Sequence, residues 1–242
     1  STYPASLRLD NAAYLYARCV YALNDFPAAV TAFQSFIAQF PASVFVNEAH
    51  YFLGRSYFQQ NLFAQALPEF QTSQRLDPAG LFADDAQYYI GRTQYEQADY
   101  AGAITSLNTL ATSYPDSTYL DNAAYYRGRS HYSLRAYSDA LAAFAQVLTY
   151  PDSIYRDNAQ YYRGRVYYSM GDLTTALTEF QRVISDYPAS TYVDNALYHI
   201  ARIYADQGNC TQANATLASL SSQFPASPYI ATTETYLSGQ GC

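Results

Sequence analysis

Arginine and tyrosine are the side chains in this sequence with the most to offer chemically. The 13 residues counted as Lys or Arg are all Arg, and Tyr occurs 28 times in 242 residues. A guanidinium is a permanently charged fork of donors, and a phenol is an apolar ring with a polar tip. Together they can grip carboxylates, backbone carbonyls or sugar hydroxyls, and they can equally well stack on one another. They are not scattered. DNAAYYRGR fills residues 121–129 and DNAQYYRGR fills 157–165, 36 residues apart.

Other chemistry finds less support. His50, His131 and His199 fall at three different positions of the repeated unit, so they do not converge, and no Ser-His-Asp or Cys-His grouping can be placed. Asp84 and Asp85 are adjacent and would point apart on a helix. Cys19, Cys210 and Cys242 are not at metal-ligand spacing, so no metal and no cofactor is expected. Gly inside Arg-Gly-Arg cannot form a phosphate nest if the segment is helical. A net charge of −7 argues against nucleic-acid binding, which needs excess Lys and Arg. No apolar run approaches the roughly 18 residues of a membrane-spanning helix. These absences point to a non-enzyme.

Proline punctuates the chain. Tyr3-Pro4, Phe40-Pro41, Asp77-Pro78, Tyr114-Pro115, Tyr150-Pro151, Tyr187-Pro188 and Phe224-Pro225 follow one another at 37, 37, 37, 36, 37 and 37 residues. Two residues after each Pro stands Ser6, Ser43, Gly80, Ser117, Ser153, Ser190 or Ser227. Six full units, 4–40, 41–77, 78–114, 115–150, 151–187 and 188–224, and a partial seventh, 225–242, fill the chain as a single domain. Apolar residues within each unit recur at helical spacing, as Ala140, Leu141, Phe144, Val147 and Leu148 do in the fourth. Turn or helix-start residues such as Asn24-Asp25, Ala98-Asp99 and Gly171-Asp172 divide each unit into two antiparallel helices, A and B. One such pair cannot bury both apolar faces, so neighbours must stack.

The helix pair carries a small residue in A (Gly54, Gly91, Gly128, Gly164; Ala17 and Ala201 in the outer units). Twelve residues later comes an Ala in B (Ala29, Ala66, Ala103, Ala140, Ala176, Ala213), and four after that a large residue (Phe33, Phe70, Leu107, Phe144, Phe180, Leu217). In this pattern the chain resembles the tetratricopeptide repeat family, in the long-loop version similar to bacterial cell-envelope members such as the Tol–Pal-associated coordinator and the β-barrel assembly lipoprotein. The resemblance covers essentially the whole chain. It implies an all-α, right-handed superhelical solenoid of six helix pairs with a C-terminal capping helix, and a concave face lined by the A helices. Arg127 and Arg163 stand where the family pattern has a large apolar residue.

Laid on helix A, the repeated phrase makes one stripe. Its second residue is Asn11, Glu48, Asp85, Asn122, Asn158 or Asn195. Three on comes Tyr14, Tyr51, Tyr88, Tyr125, Tyr161 or Tyr198. Four on comes Arg18, Arg55, Arg92, Arg129, Arg165 or Arg202, and three more gives Tyr21, Phe58, Tyr95, Tyr132, Tyr168 or Ala205. Steps of 3, 4 and 3 share a helical face. Stacked units would align these residues in ladders. Two roles stay open. The ladders fix repeat geometry by cation–π stacking and pairing between neighbours, or they meet an extended peptide, an acidic terminus or a glycan.

The ends differ. The segment after the last Pro should form a capping helix antiparallel to the last helix B, which brings Cys242 near Cys210 as a disulfide suited to an oxidising compartment. Cys19 is expected as a small packed residue. Asn209 and Asn214 match the glycosylation acceptor pattern. The chain opens at Ser1 without Met, as a processed product or a trimmed piece would. No cap precedes the first helix A, which exposes Leu15 and Tyr16 to an end-to-end contact with Tyr236 and Leu237 of another copy. The expected function is a protein-binding scaffold outside the bacterial cytoplasm, in the periplasm, at the cell surface or beyond. It would hold a protein or peptide partner in the Tyr/Arg groove. The alternative is a fibre subunit stacked head to tail, possibly glycosylated.

Overall fold

The computed structural model describes residues 5–242, with side chains from Leu9 onward. Among the described residues there are thirteen α-helices and no strand. The Tyr3-Pro4 step and the Ser6 side chain lie outside the described residues. The chain divides into two compact units, Ser1–Ser130 and His131–Cys242. The first holds α1 (Ala5–Ala22), α2 (Phe26–Gln39), α3 (Val46–Gln59), α4 (Phe63–Leu76), α5 (Ala83–Glu96), α6 (Tyr100–Ser113) and most of α7 (Leu120–Ser133). The second holds the end of α7, then α8 (Tyr137–Leu148), α9 (Arg156–Met170), α10 (Leu173–Asp186), α11 (Val193–Asp206), α12 (Cys210–Gln223) and α13 (Tyr229–Gly239). Within each unit successive helices pack on one another, the arrangement of stacked A–B pairs.

The A-to-B turn is built from two residues with separate tasks. The first takes a left-handed backbone: Asn24 at φ 61°, Ala98 at 61°, Gly171 at 82° and Gly208 at 72°. The second caps helix B. Asp25 accepts from Ala28 N at 3.1 Å, Asp99 from Gly102 N at 3.0 Å, Asp172 from Thr175 N at 3.0 Å and Asn209 from Gln212 N at 3.2 Å. The B-to-A turn is set by X-Pro, which forces the residue before it out of the helical region. Phe40, Tyr114, Tyr187 and Phe224 accordingly end their helices at φ near −130°. Two residues past the Pro, the hydroxyls of Ser43, Ser117, Ser153, Ser190 and Ser227 each accept from the backbone N–H of the residue two further on. Ser43, Ser190 and Ser227 also donate back to Asp10, Asp157 and Asp194 at 2.7, 2.6 and 2.8 Å. The first letter of the repeated phrase is thereby a latch for the next loop.

Small residues in helix A let the paired helices touch. A Cβ at Gly54, Gly91 or Gly164 would stand 2.8, 2.7 and 2.7 Å from Phe70, Leu107 and Phe180, all fully buried. At the C-terminal end α13 packs on α11 and α12, with Leu237 against Ala205 and Ala213. A disulfide joins Cys210 to Cys242 across a separation of 32 residues, Cα–Cα 4.9 Å.

Candidate functional site

The A-helix stripe turns out to be a woven structure in both units. The phenols of Tyr14, Tyr51, Tyr88, Tyr125 and Tyr161 are buried, and Tyr198 is half-buried. Each arginine one turn on is half-buried. Arg18, Arg55 and Arg202 donate from Nη1 to the hydroxyls of Tyr14, Tyr51 and Tyr198 at 2.8 Å, and Arg129 donates to Tyr125 at 3.5 Å. The hydroxyl then donates to the acid of the next A helix: Tyr14 to Glu48, and Tyr51 to Asp85 at 3.0 Å. Asn122 donates to Tyr88 at 3.5 Å, and Asn195 to Tyr229. Asn158 is half-buried beside Asp157, whose carboxylate accepts its backbone N–H at 2.8 Å. Burial is the main reason the phenols of Tyr14, Tyr51 and Tyr161 hold their protons far above the ordinary range, and it also raises Tyr168, further along the stripe, to about 12.

The guanidiniums lie between rings of neighbouring repeats. Looking forward, Arg18 sits 3.8 Å from the Phe52 centroid, Arg55 4.4 Å from Tyr89, Arg92 4.0 Å from Tyr126 and Arg202 4.2 Å from Tyr236. Looking back, Arg55 lies 5.9 Å from Tyr21, Arg92 5.5 Å from Phe58, Arg129 5.0 Å from Tyr95, Arg165 5.2 Å from Tyr132 and Arg202 5.6 Å from Tyr168. Such contacts are worth about 0.5–1 kcal/mol each, more where water is excluded. The geometry-fixing role is therefore built in. Side-chain exposure is 38% at Arg18 and 24% at Arg92, whose Nε donates to Glu96 at 2.8 Å, while the Nε of Arg55 and of Arg202 is buried without a partner.

Two further sets of aromatics, off the stripe, complete it. The residue four past Pro41, Pro78, Pro115, Pro188 and Pro225 stacks on a stripe tyrosine: Phe45 on Tyr14 at 4.7 Å, Phe82 on Tyr51 at 4.7 Å, Tyr119 on Tyr88 at 4.5 Å, Tyr192 on Tyr161 at 4.6 Å and Tyr229 on Tyr198 at 5.2 Å. The residue after the stripe tyrosine supplies the ring under the preceding arginine. Both signals lie in the sequence as fixed offsets from Pro and from Tyr. Asp85 shows their convergence, accepting from Tyr51 at 3.0 Å and from Tyr119 at 2.8 Å.

Off the stripe, Arg127 and Arg163 fill their apolar-patterned positions by reaching polar groups on the facing helix. Arg127 donates to Asn108 at 2.9 Å. Arg163 pairs with the buried Glu179 at 3.0 Å, which also meets Arg182 at 3.3 Å and Gln160 at 2.8 Å. The histidines stay apart: His50 lies 2.6 Å from Glu69, His131 3.9 Å from Asp139, and His199 stacks on Phe180. Among the described residues no three His, Cys, Asp or Glu side chains gather as a metal site would need.

Three sequence expectations need correction. Tyr236 and Leu237 are not end-contact residues: Leu237 is buried and the Tyr236 hydroxyl donates to Asp206, because α13 turns both toward its own unit. Asn214 is engaged rather than a free acceptor through its amide nitrogen, whereas Asn209 uses only its amide oxygen. Asn209 caps α12, and Asn214, inside that helix, donates to the carbonyls of Cys210 and Cys242 at 2.9 and 3.2 Å. Cys19 is exposed, not packed. Leu15 and Tyr16 are exposed at 53% and 65%.

Comparison with known proteins agrees with this geometry. The YfiO family, described as outer membrane lipoprotein, matches residues 63–238, and a tetratricopeptide repeat family matches residues 17–80. No curated protein sequence matches the chain. Among solved structures, a tetratricopeptide repeat protein of Parabacteroides merdae ATCC 43184 superposes with TM-score 0.74 at 16% identity, over 94% of this chain and 85% of its own. PilW, described as a widely conserved type IV pilus biogenesis factor, superposes with TM-score 0.71 at 16% identity, over 93% and 97%. YrrB, described as having an unusual peptide-binding site, gives 0.61 at 18% identity, over 84% and 98%. These likenesses establish the tetratricopeptide fold. No helix among the described residues is long and apolar enough to cross a membrane.

Proposed function

The chain belongs to the YfiO outer membrane lipoprotein family, and from that membership we propose that it is a non-enzymatic protein-interaction scaffold of the bacterial cell envelope or exterior. Its arginine–tyrosine stripes hold an extended partner. The observation that carries this is the mounting of the arginines. Arg55, Arg92 and Arg202, each with rings of both neighbouring repeats on either side, have lost most of their rotamer freedom before any partner arrives, so binding costs less ordering entropy. The half-buried fork keeps donors for carboxylates or backbone carbonyls. The Cys210–Cys242 disulfide supports an oxidising, extracytoplasmic setting.

The test uses immobilised protein and an outer-membrane extract. A partner retained by the wild type should be lost from Arg55→Ala with Arg92→Ala and kept by Tyr16→Glu, with helicity unchanged in all three. Retention by the double arginine variant would overturn the reading. A second reading, a structural subunit that assembles with its own copies, is favoured by one observation, the uncovered apolar face of α1.

A further inference from the structure

The stripe carries different charge in the two units. In the first, two relays run from guanidinium through phenol to a carboxylate on the next A helix. Arg18 reaches Tyr14, and Tyr14 reaches Glu48, which stands 4.0 Å from Arg18. Arg55 reaches Tyr51, and Tyr51 reaches Asp85, which Tyr119 joins at 2.8 Å. Arg92 meets Glu96 directly at 2.8 Å.

In the second unit the rung filled by Glu48 and Asp85 is Asn195, which is neutral. The Tyr161 hydroxyl faces another neutral group, the Nε2 of His199, at 3.2 Å. Arg202 still has an acid nearby: Tyr236, whose ring lies 4.2 Å from it, donates to Asp206, and Tyr168 donates to the same carboxylate at 3.4 Å. Arg165 has none. Its half-buried guanidinium lies 5.2 Å from the Tyr132 ring, 6.0 Å from Tyr161 and 5.4 Å from Tyr162. No carboxylate comes within 4.0 Å of it among the described residues. The Tyr132 hydroxyl meets Ser169, not an acid. The positive field reaches the neighbouring ring, since burial and then Arg165 and Arg202 keep the His199 imidazole neutral. A carboxylate arriving at Arg165 would meet an unscreened charge at lower effective dielectric than in open water. One arriving at Tyr14 or Tyr51 would meet Glu48 or Asp85 and be repelled.

We propose that the stripes discriminate by charge: Arg165 seats an acidic side chain of the extended partner, while Glu48 and Asp85 keep acids off the first unit. Asn195 is then the residue that sets specificity, because an acid on that rung would close the site. The proposal rests on the stripe being the partner groove. The net charge of −7 repels an acidic chain as a whole, so a preference for one must arise locally.

Fluorescence anisotropy tests it with two labelled peptides of equal length, one alternating Ser and Glu, the other Ser and Gln. The wild type should hold the Glu peptide about tenfold tighter, the size of one charge-assisted contact. Arg165→Gln and Asn195→Asp should each erase the difference, and Asp85→Asn should widen it. The rung already takes both acid and amide in this chain, so helicity by circular dichroism should not change. A Glu preference that survives Arg165→Gln or Asn195→Asp would overturn the assignment, and one unmoved by Asp85→Asn would overturn the role given to the first unit. Equal binding of the two peptides by the wild type would overturn the proposal. If Arg55→Ala with Arg92→Ala then abolishes that binding, the groove reading stands; if it does not, both fall. Binding of neither peptide overturns both.

Discussion

His199 should make the second unit acid-labile, and by a calculable amount. It occupies the position filled by Tyr89, Tyr126 and Tyr162 in other repeats and stacks on Phe180 at 4.8 Å with 3° between planes. Its Nε2 faces the Tyr161 hydroxyl at 3.2 Å, its Nδ1 is buried without a partner, and the rings of Tyr168 and Tyr198 flank it. Burial first, then the guanidiniums of Arg165 and Arg202, push its pKa down from 6.5 to about 3. The unfolded chain therefore takes up a proton that the folded chain refuses. The stability this neutral imidazole contributes is intact above pH 6.5 and is lost as pH falls from 6.5 toward 3. At about 1.4 kcal/mol per pH unit, the loss by pH 4 is up to about 3 kcal/mol. Urea titrations at pH 7 and pH 4 on the wild type and His199→Tyr would isolate it, since carboxylate effects are common to both. A variant that loses as much stability between the two pH values as the wild type would refute the reasoning.

The turn residues predict a pair of opposite effects. Ala98→Gly should stabilise by about 1 kcal/mol and Gly171→Ala should destabilise by about as much, because both sites have left-handed φ and a Cβ at Gly171 would meet nothing; urea midpoints read both. Cys210→Ser with Cys242→Ser should cost roughly 3–4 kcal/mol and raise hydrogen exchange first in α13, whose end the bond holds to α12. Glu179→Gln should cost roughly 2–4 kcal/mol by leaving Arg163 without its buried anion, whereas Arg182→Ala, at an arginine 53% exposed, should cost under about 1 kcal/mol in the same denaturation assay.

Much of the fold was legible because proline and the Gly–Ala–Phe contact leave marks at fixed spacing. Tyr114-Pro115 and Gly91 with Leu107 each encode a local steric constraint that no distant residue can override. The stripe of Tyr51 and Arg55 was legible as a shared face for the same reason. Its partners were harder to foresee. That Arg55 rests on Tyr89 depends on which way a flexible four-bond side chain leans between two helices, and spacing alone leaves both directions open. Tyr236 and Leu237 were placed on the outside because helical period gives a face but not which of two faces a terminal helix turns inward. Asn214 matches a three-residue acceptor pattern whose side chain the helix has already engaged. Cys19 was expected to be packed because its counterparts are, and it is exposed because no repeat precedes it among the described residues.

The central claim is that the repeated phrase binds each repeat to the next through an arginine held between rings. A double-mutant cycle on Arg55→Leu and Tyr89→Leu, read by urea denaturation, tests it most directly, since the two groups meet at 4.4 Å across neighbouring A helices. The account predicts that the losses are coupled by about 1 kcal/mol or more in the favourable direction. Losses that add to within about 0.3 kcal/mol would contradict it.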